Sequence, residues 1–370
     1  MPAFINHLVT GVPVQRYEQS FVRDFLKKHL GDDRRIGLAI HHIYKNSGID
    51  YRHSAIRDFD PKNTETGLFY DPITASLTSP GTAERNQIYE QEARTLFTDL
   101  ARKIISETPG VSKSSITHVI TVSCTGFYAP GPDLDIVTAC ELNPSVQRYH
   151  IGFMGCYAAF PALRMAKTIC LENPAAQVLI VAVELCTLHL KFNTDADSLI
   201  STSVFADGGA AAIVTGSKDH THHTGFELGS MQTHLVPKGA GDMAWTIGNN
   251  GFDMVLSSYI PDILSSGIKS MIEPLMETAG LTYKNVHGWA IHPGGRAIID
   301  KIATELQLEE SEIEPSRLTL SRYGNMSSAT ILFVLNEWRN RAELDPKQLI
   351  AMAFGPGLTV ELGALTLFQE

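Results

Sequence analysis

The 370-residue sequence predicts an α/β fold in which a buried sheet carries helices on its faces and the chain is built from two similar halves. Three observations predict it. Short apolar runs alternate with helical segments over most of the length. Several of those runs, VLIVAVE at Val178–Glu184, AAAIVT at Ala210–Thr215 and LIAMAF at Leu349–Phe354, are apolar at consecutive positions, the pattern of strands covered on both sides. Landmark spacings also recur. Cys124, at a strand end, precedes Cys156, at a helix start, by 32 positions; His292, at a strand end, precedes Asn325, at a helix start, by 33. From Cys156 to Val178 is 22, and from Asn325 to Leu349 is 24. The halves are expected at 1–225 and 226–370.

In chain order, Leu8–Val14 reads as extended, and Glu18–Leu30 and Ile36–Ser47 as helices separated by Gly31–Asp33 and closed by Gly48. The mixed charges of KKHLGDDRR, Lys27–Arg35, describe a solvated helix end. Residues 51–87, with Pro61, Pro72, Pro80 and Gly81 among polar residues, predict a long surface loop. A helix from Thr82 or Glu84 to Glu107 follows, closed by Pro109 and Gly110. Then come the strand Thr117–Ser123, a helix at Leu134–Glu141, an extended Val146–His150, the helix that Cys156 opens, and the strand Val178–Glu184. The helix Asp197–Phe205 and the strand Ala210–Thr215 complete the first half, with Asp207, Gly208 and Gly209 read as a turn between them. In the second half, Pro261–Ala279 is helical and Val286–Ile291 is a strand ending at His292. Helices at Arg296–Leu306 and Ser327–Arg341 follow, then the strands Leu349–Phe354 and Leu358–Phe368.

Composition bounds the function. The chain is 44% hydrophobic and 19% charged, that of a globular protein with a large core. Its net charge of −10 argues against nucleic acid or an anionic membrane surface as the main partner. The longest strongly apolar run, around Val178–Val183, is too short for a membrane span. MPAFINHLVTGVPVQRY lacks a basic stretch ahead of its apolar residues and meets Pro13 early, so no signal peptide is read and a cytoplasmic protein is expected. Five cysteines (Cys124, Cys140, Cys156, Cys170, Cys186), none spaced as CxxC, suit reduced thiols rather than disulfides or a zinc finger. His220, His222 and His223 fall in a polar loop with no distant ligand set, so no metal is expected.

The most informative stretch is HIGFMGCYAAFPALRMAKTICL, His150–Leu171. Cys156 follows Gly155, which permits a tight turn, and precedes a helix apolar on nearly every side, hence a core helix. A thiol at such a helix start is exposed to unpaired backbone N–H groups and the positive end of the macrodipole, which favour the thiolate, the nucleophilic form. An inert buried cysteine is the commoner case. His292 ends the strand VHGWAI and opens HPGG, at the carboxyl edge where α/β proteins place their sites. Asn325, in YGNMSSA, reads equally as a helix N-cap and as a site residue. If two similar halves pack about a pseudo-twofold axis, the starts of their core helices share a pocket, and Cys156, His292 and Asn325 converge. A thiol, an imidazole and a carboxamide give a nucleophile plus two N–H donors for a thioester oxygen, which suits acyl-thioester chemistry.

GCYAAFPALRMAK, VFADGGAAAIV, WAIHPGGRAIID, SRYGNMSSATILFVL and AFGPGLTVELGAL resemble successive signatures of the type III polyketide synthases, the chalcone and stilbene synthase family, over about residues 8–368. VSCTGF at Val122–Phe127 is more similar to the bacterial members than to the plant ones. The resemblance implies a thiolase-like αβαβα layered fold of two duplicated halves, a homodimer, and malonyl-CoA and an acyl-CoA starter as substrates. It implies no metal, flavin or pyridoxal cofactor. Residue by residue, it makes Cys156 the acylated nucleophile and His292 and Asn325 the pair that binds the thioester carbonyl and promotes decarboxylation. Phe205 matches a gatekeeper and Met254 falls at the second gatekeeper position. Cys124, Cys186, His189 and Ser327 fall at pocket positions, and Gly355, Pro356 and Gly357 at the loop that shapes the cyclisation cavity. Where plant members carry basic residues for the CoA phosphates this chain has Ala39, His42 and Asn46, leaving His42 and Lys45 as the nearby groups for CoA. Bulk at His189 and Trp245 implies a pocket of different shape.

The reaction implied is iterative decarboxylative condensation of malonyl-CoA onto a Cys156-bound starter, then ring closure to a resorcinol, phloroglucinol or α-pyrone. Two alternatives stand beside it: a priming 3-oxoacyl-carrier-protein synthase of the same fold, against which HPGG and FGPGL argue, and a thioester hydrolase or non-catalytic scaffold.

Overall fold

The computed structural model describes residues 2–31, 33–60, 64–218, 224–257, 259–341 and 347–369. The histidines at 220, 222 and 223 lie outside the described residues. Among the described residues nine strands form one sheet: β1 (Phe4–Gly11), β2 (His118–Ser123), β3 (Gln147–Gly152), β4 (Gln177–Leu185), β5 (Asp207–Thr215), β6 (Thr224–Leu235), β7 (Gly288–Ile291), β8 (Lys347–Gly355) and β9 (Thr359–Gln369). Their order is β7-β8-β9-β6-β1-β5-β4-β2-β3. Read outward from the central β1/β6 pair, where Phe4 faces Glu227 and Ile5 faces Phe226, the two arms repeat. Each continues with two antiparallel pairings, β1–β5–β4 and β6–β9–β8, and then a parallel one, β4–β2 and β8–β7. The duplication inferred from spacing is thus present in the topology. Among the described residues the first arm alone has a further strand, β3, parallel to β2.

Why these strands are apolar at every position is visible in the packing. In β4, Val178, Ile180 and Ala182 point into one core and Leu179, Val181 and Val183 into another. In β8, Leu349, Ala351 and Ala353 share the first core, while Ile350, Met352 and Phe354 face a third. The shared core is filled by the helices Ala159–Glu172 and Thr330–Arg339, whose Phe160, Leu163, Ile331 and Val334 lie between the two arms. The helix Thr82–Glu107 covers the outer face of the first arm, and Ile260–Ala279 and Arg296–Leu306 that of the second. Outer helix, one arm of the sheet, central helices, the other arm and outer helices make the five layers of a thiolase-like fold.

Several sequence expectations are corrected. Cys156 does not open its helix, which begins at Ala159; it sits in the preceding turn, where Ala158 N–H donates to Gly155 O at 3.0 Å. The segment after Asn325 starts as a 3-10 turn, Ser327–Ala329, before the α-helix. Asp207–Gly209 is the start of β5 and not a turn, because its backbone continues the ladder with Leu185–Val183. The region 51–87 contains short paired strands at Tyr51–Ser54, Tyr70–Asp71 and Ser76–Leu77. Elements not anticipated include the central strand β6, the strand Gln15–Glu18, the hairpin Met243–Gly248/Gly251–Leu256 and the helix Glu310–Tyr323. No helix among the described residues is long and apolar enough to cross a membrane.

Candidate active site

Cys156 and Asn325 occupy equivalent places in the two halves, each one residue after a glycine with positive φ, Gly155 at +78° and Gly324 at +75°. A left-handed turn of that kind is open to glycine at little cost, and it reverses the chain just before each central helix. Behind Gly155 there is no room for a side chain, since a Cβ would lie 2.4 Å from Pro356 Cδ. Both turns open into one cleft, lined by Cys156 and Asn325 together. His292 reaches the same cleft from the end of β7, where its N–H is held by Met352 O at 2.8 Å.

The carboxamide of Asn325 is oriented by its own neighbour. Ser327 N–H donates to Asn325 Oδ1 at 2.9 Å, so the amino group faces the cleft, 4.0 Å from Cys156 Sγ and 3.4 Å from Gly294 O. Asn325 is not an N-cap: the cap of the turn that follows is Met326 and that of the helix Ala329, and Asn325 accepts from Ser327 N–H one residue ahead of the cap. His292 is 1% exposed, and among the described residues neither ring nitrogen has a hydrogen-bond partner. Buried polar atoms are paired in nearly all cases, so an unpartnered imidazole in a cleft marks a place for chemistry. Burial pushes the imidazole down to about 3 and the Cys156 thiol up to about 11. The helix-dipole expectation for Cys156 is thus overturned for the isolated thiol: desolvation outweighs any dipole contribution, and the thiol stands a turn short of the helix. The hydroxyl of Ser327 and the amide of Asn325 pull in the opposite direction.

Cys124, Cys186, Phe205, Met254, Ser327 and Pro356, all singled out in the sequence, line this cleft. Gly355 and Gly357 do not; Gly355 instead packs against Tyr157, where an added Cβ would meet Cδ1 at 2.5 Å. His189 lies on an adjoining cavity that shares Cys186, Phe205, Trp245 and Met254 with the first. Its Nε2–H donates to Thr125 O at 2.8 Å, its Nδ1 accepts from Phe252 N–H at 3.1 Å, and the ring stacks on Phe252 at 3.9 Å. Only the neutral ring satisfies both contacts, and burial pushes it down to about 3. Trp245 donates Nε1–H to Cys124 O at 2.9 Å, so the hairpin that carries Trp245 and Met254 is tied to the first half.

Sequence reasoning passed over three features. The hairpin was signalled by GNNG, Gly248–Gly251, between two short β-prone runs. Glu184, fully buried at the end of β4, accepts from Cys124 N–H at 2.9 Å, Thr125 Oγ1 at 2.8 Å and the Ser328 hydroxyl, tying the Cys124 strand end to the Asn325 turn. Burial raises its carboxyl and these donors oppose that rise. A second cleft, bounded by Asn46, Ser47, Pro261 and Arg296, shares Leu256, Gly294 and Ile298 with the first. Neither Lys45 nor His42 borders it; both are exposed on the helix Arg34–Lys45, and Arg296 is the cation at its rim. Among the described residues no group of three or more His, Cys, Asp or Glu side chains could hold a metal ion.

A duplicated, five-layered α/β fold with thiol, imidazole and carboxamide facing one apolar cleft belongs to the thiolase-like class. Comparison with known proteins narrows the class. The chain matches the chalcone and stilbene synthase N-terminal domain over residues 2–218 and the C-terminal domain over residues 227–367, and it belongs to that family. It is similar to the polyketide synthase PKS-I of the brown alga Ectocarpus siliculosus (29% identity, TM-score 0.90, covering 100% of this chain and 98% of that one). It is also similar to 1,3,6,8-tetrahydroxynaphthalene synthase of Streptomyces coelicolor, a bacterial type III polyketide synthase (26%, TM-score 0.86, 100% and 99%). The C-terminal type III domain of Steely1 from Dictyostelium shares the fold (24%, TM-score 0.89, 99% and 99%). The protein is an acyltransferase of the type III polyketide synthase family.

Proposed function

We propose that the enzyme condenses malonyl-CoA repeatedly onto an acyl starter carried by Cys156 and closes the product to a resorcinol, phloroglucinol or α-pyrone. The observation that carries this reading is the Asn325 carboxamide, fixed by Ser327 N–H so that its donors face the Cys156 sulfur, with His292 on the same cleft.

Burial opposes each charge alone, but moving the thiol proton to His292 creates two opposite charges together, whose attraction in an apolar cleft is strong. The thiolate attacks the starter thioester, the C–S bond to CoA breaks, and CoA leaves with the proton. Malonyl-CoA then places its thioester oxygen against His292 and Asn325. Its carboxylate leaves as CO₂, the bonding electrons become an enolate, and the two N–H donors stabilise the oxygen that gains charge. The enolate carbon attacks the Cys156 thioester, forming a C–C bond and releasing the sulfur for the next round. Each donor is worth on the order of 10²–10³ in rate.

CoA would enter through the second cleft, with Arg296 and, farther out, Lys45 and His42 toward its phosphates. The chemistry uses protein groups and CoA thioesters alone. The side chains of Trp245, Phe205 and Met254 confine the growing chain to the first cleft. We further propose the halves as 1–225 and 226–370, and a cytoplasmic homodimer. β3 supports the dimer: it is an edge strand with Gln147–His150 exposed, beside an exposed Phe127, and such edges are ordinarily covered.

The test is mass spectrometry of products formed from labelled malonyl-CoA and a panel of starter thioesters without carrier protein. Labelled CO₂ and chain-extended, cyclised products are expected; release of free starter acid alone would establish a hydrolase.

A further inference from the structure

The helix Ala196–Val204 ends at Phe205, and a helix leaves its last four carbonyls without intrahelical partners. Here each of the four is taken. Arg52 Nη1 donates to Thr202 O at 2.7 Å and to Phe205 O at 2.8 Å; Gln19 Nε2 donates to Ser203 O at 2.7 Å; Asn325 N–H donates to Val204 O at 2.8 Å. Arg52 Nε–H is in turn held by Gln19 Oε1 at 2.9 Å. Arg52 is 5% exposed and Gln19 4%, and among the described residues Arg52 has no carboxylate within ion-pair distance. Asp207, the acid whose charge it feels, is occupied by Ala55 N–H, Thr187 N–H and the Thr187 hydroxyl, at 2.6 to 2.7 Å. A charge withdrawn from water persists only where strong acceptors replace the water, and here these are carbonyls at the negative end of a helix.

The same side chain reaches the other half of the molecule. A Cβ on Gly324 would lie 3.1 Å from Arg52 Cγ, so the arginine stem packs directly on the turn that aims Asn325. Asn325 O accepts Ala206 N–H at 2.8 Å, completing a two-bond bridge across Phe205. The strand bearing Arg52 is also joined to this turn just upstream, where Asp50 N–H donates to Ser321 O at 2.8 Å.

We propose that Arg52, braced by Gln19, is a positioning residue that fixes Phe205 and Asn325 as one unit. It touches no reacting atom and acts through them. The proposal rests on the role given above to Asn325. A misplacement of about 1 Å in a catalytic donor can cost about 10²-fold, so loosening the bridge is expected to slow the steps that use Asn325 and spare those that do not.

The test compares wild type with Arg52→Gln, Arg52→Lys and Gln19→Leu in three measurements: alkylation of Cys156 by iodoacetamide, CO₂ release from malonyl-CoA, and condensation. For Arg52→Gln, alkylation within about threefold of wild type is expected, with kcat for CO₂ release and condensation down by about 10- to 100-fold and KM changed less than threefold; Arg52→Lys should recover part of the loss. Unchanged CO₂ release, or alkylation falling in proportion to it, overturns the proposal. If Arg52→Gln does not fold, Gln19→Leu decides on the same criteria. Wild-type enzyme that releases no CO₂ overturns the reading of the active site itself and not the clamp.

Discussion

Gly155 and Pro356 touch with no space for a methyl group between them: a Cβ on the glycine would stand 2.4 Å from Pro356 Cδ and 2.8 Å from its Cγ. The loop after β8 is therefore seated on the turn that presents Cys156, and the cleft is shaped by both halves at once.

Gly155→Ala must accommodate that overlap and a φ of +78°. The strain at φ alone is about 1–2 kcal/mol, and moving Pro356 adds to it. A lowered melting temperature and loss of product formation are expected; a variant with wild-type melting and turnover would show that the loop yields freely.

Replacing the three facing groups separates their roles. Cys156→Ala should show no acyl mass increment after incubation with starter thioester yet retain some CO₂ release from malonyl-CoA, because that step uses the donors. His292→Ala should lose both. Asn325→Ala should slow CO₂ release by about 10²–10³. Equal CO₂ release by wild type and His292→Ala would remove the imidazole from the mechanism.

Stability should fall on acidification. His292 titrates near 6.5 when unfolded and near 3 when folded, so the unfolded chain binds the proton first. The stability it contributes is fully present above pH 6.5 and is lost as pH falls from 6.5 toward 3, about 2 kcal/mol by pH 5. Denaturant melts of His292→Gln between pH 6.5 and 5 should show a slope smaller by about 1 kcal/mol per pH unit; an unchanged slope would mean that His292 is protonated in the folded enzyme.

Trp245 lines both the Cys156 cleft and the adjoining cavity that His189 borders. Trp245→Gly should join them and shift products toward longer chains, read by liquid chromatography and mass spectrometry. An unchanged distribution would place the size limit elsewhere.

The strands β4, β5 and β8 were legible from composition because both their faces are buried, and the helices Thr82–Glu107 and Arg296–Leu306 from local pattern. The helix Glu310–Tyr323 was not, because Pro315 interrupts a largely polar run; its Glu309/Glu312 capping box was the usable signal. The helix was expected to open at Cys156 and opens at Ala159 instead, after tight turns closed by Ala158 N–H to Gly155 O and Phe160 N–H to Tyr157 O; the Gly155 turn itself packs on Pro356, 201 positions away in the chain.

By itself, the sequence determined the residue types of the site and, through its repeated spacing, that two halves would bring them together: apolar periodicity and chain length act locally and survive without a partner. Only the tertiary structure decided which way the Asn325 carboxamide points, how strongly desolvation acts on the Cys156 thiol and the His292 ring, and what holds Phe205 in place. Those properties depend on distances between segments remote in the chain, and on the loss of water when the segments meet.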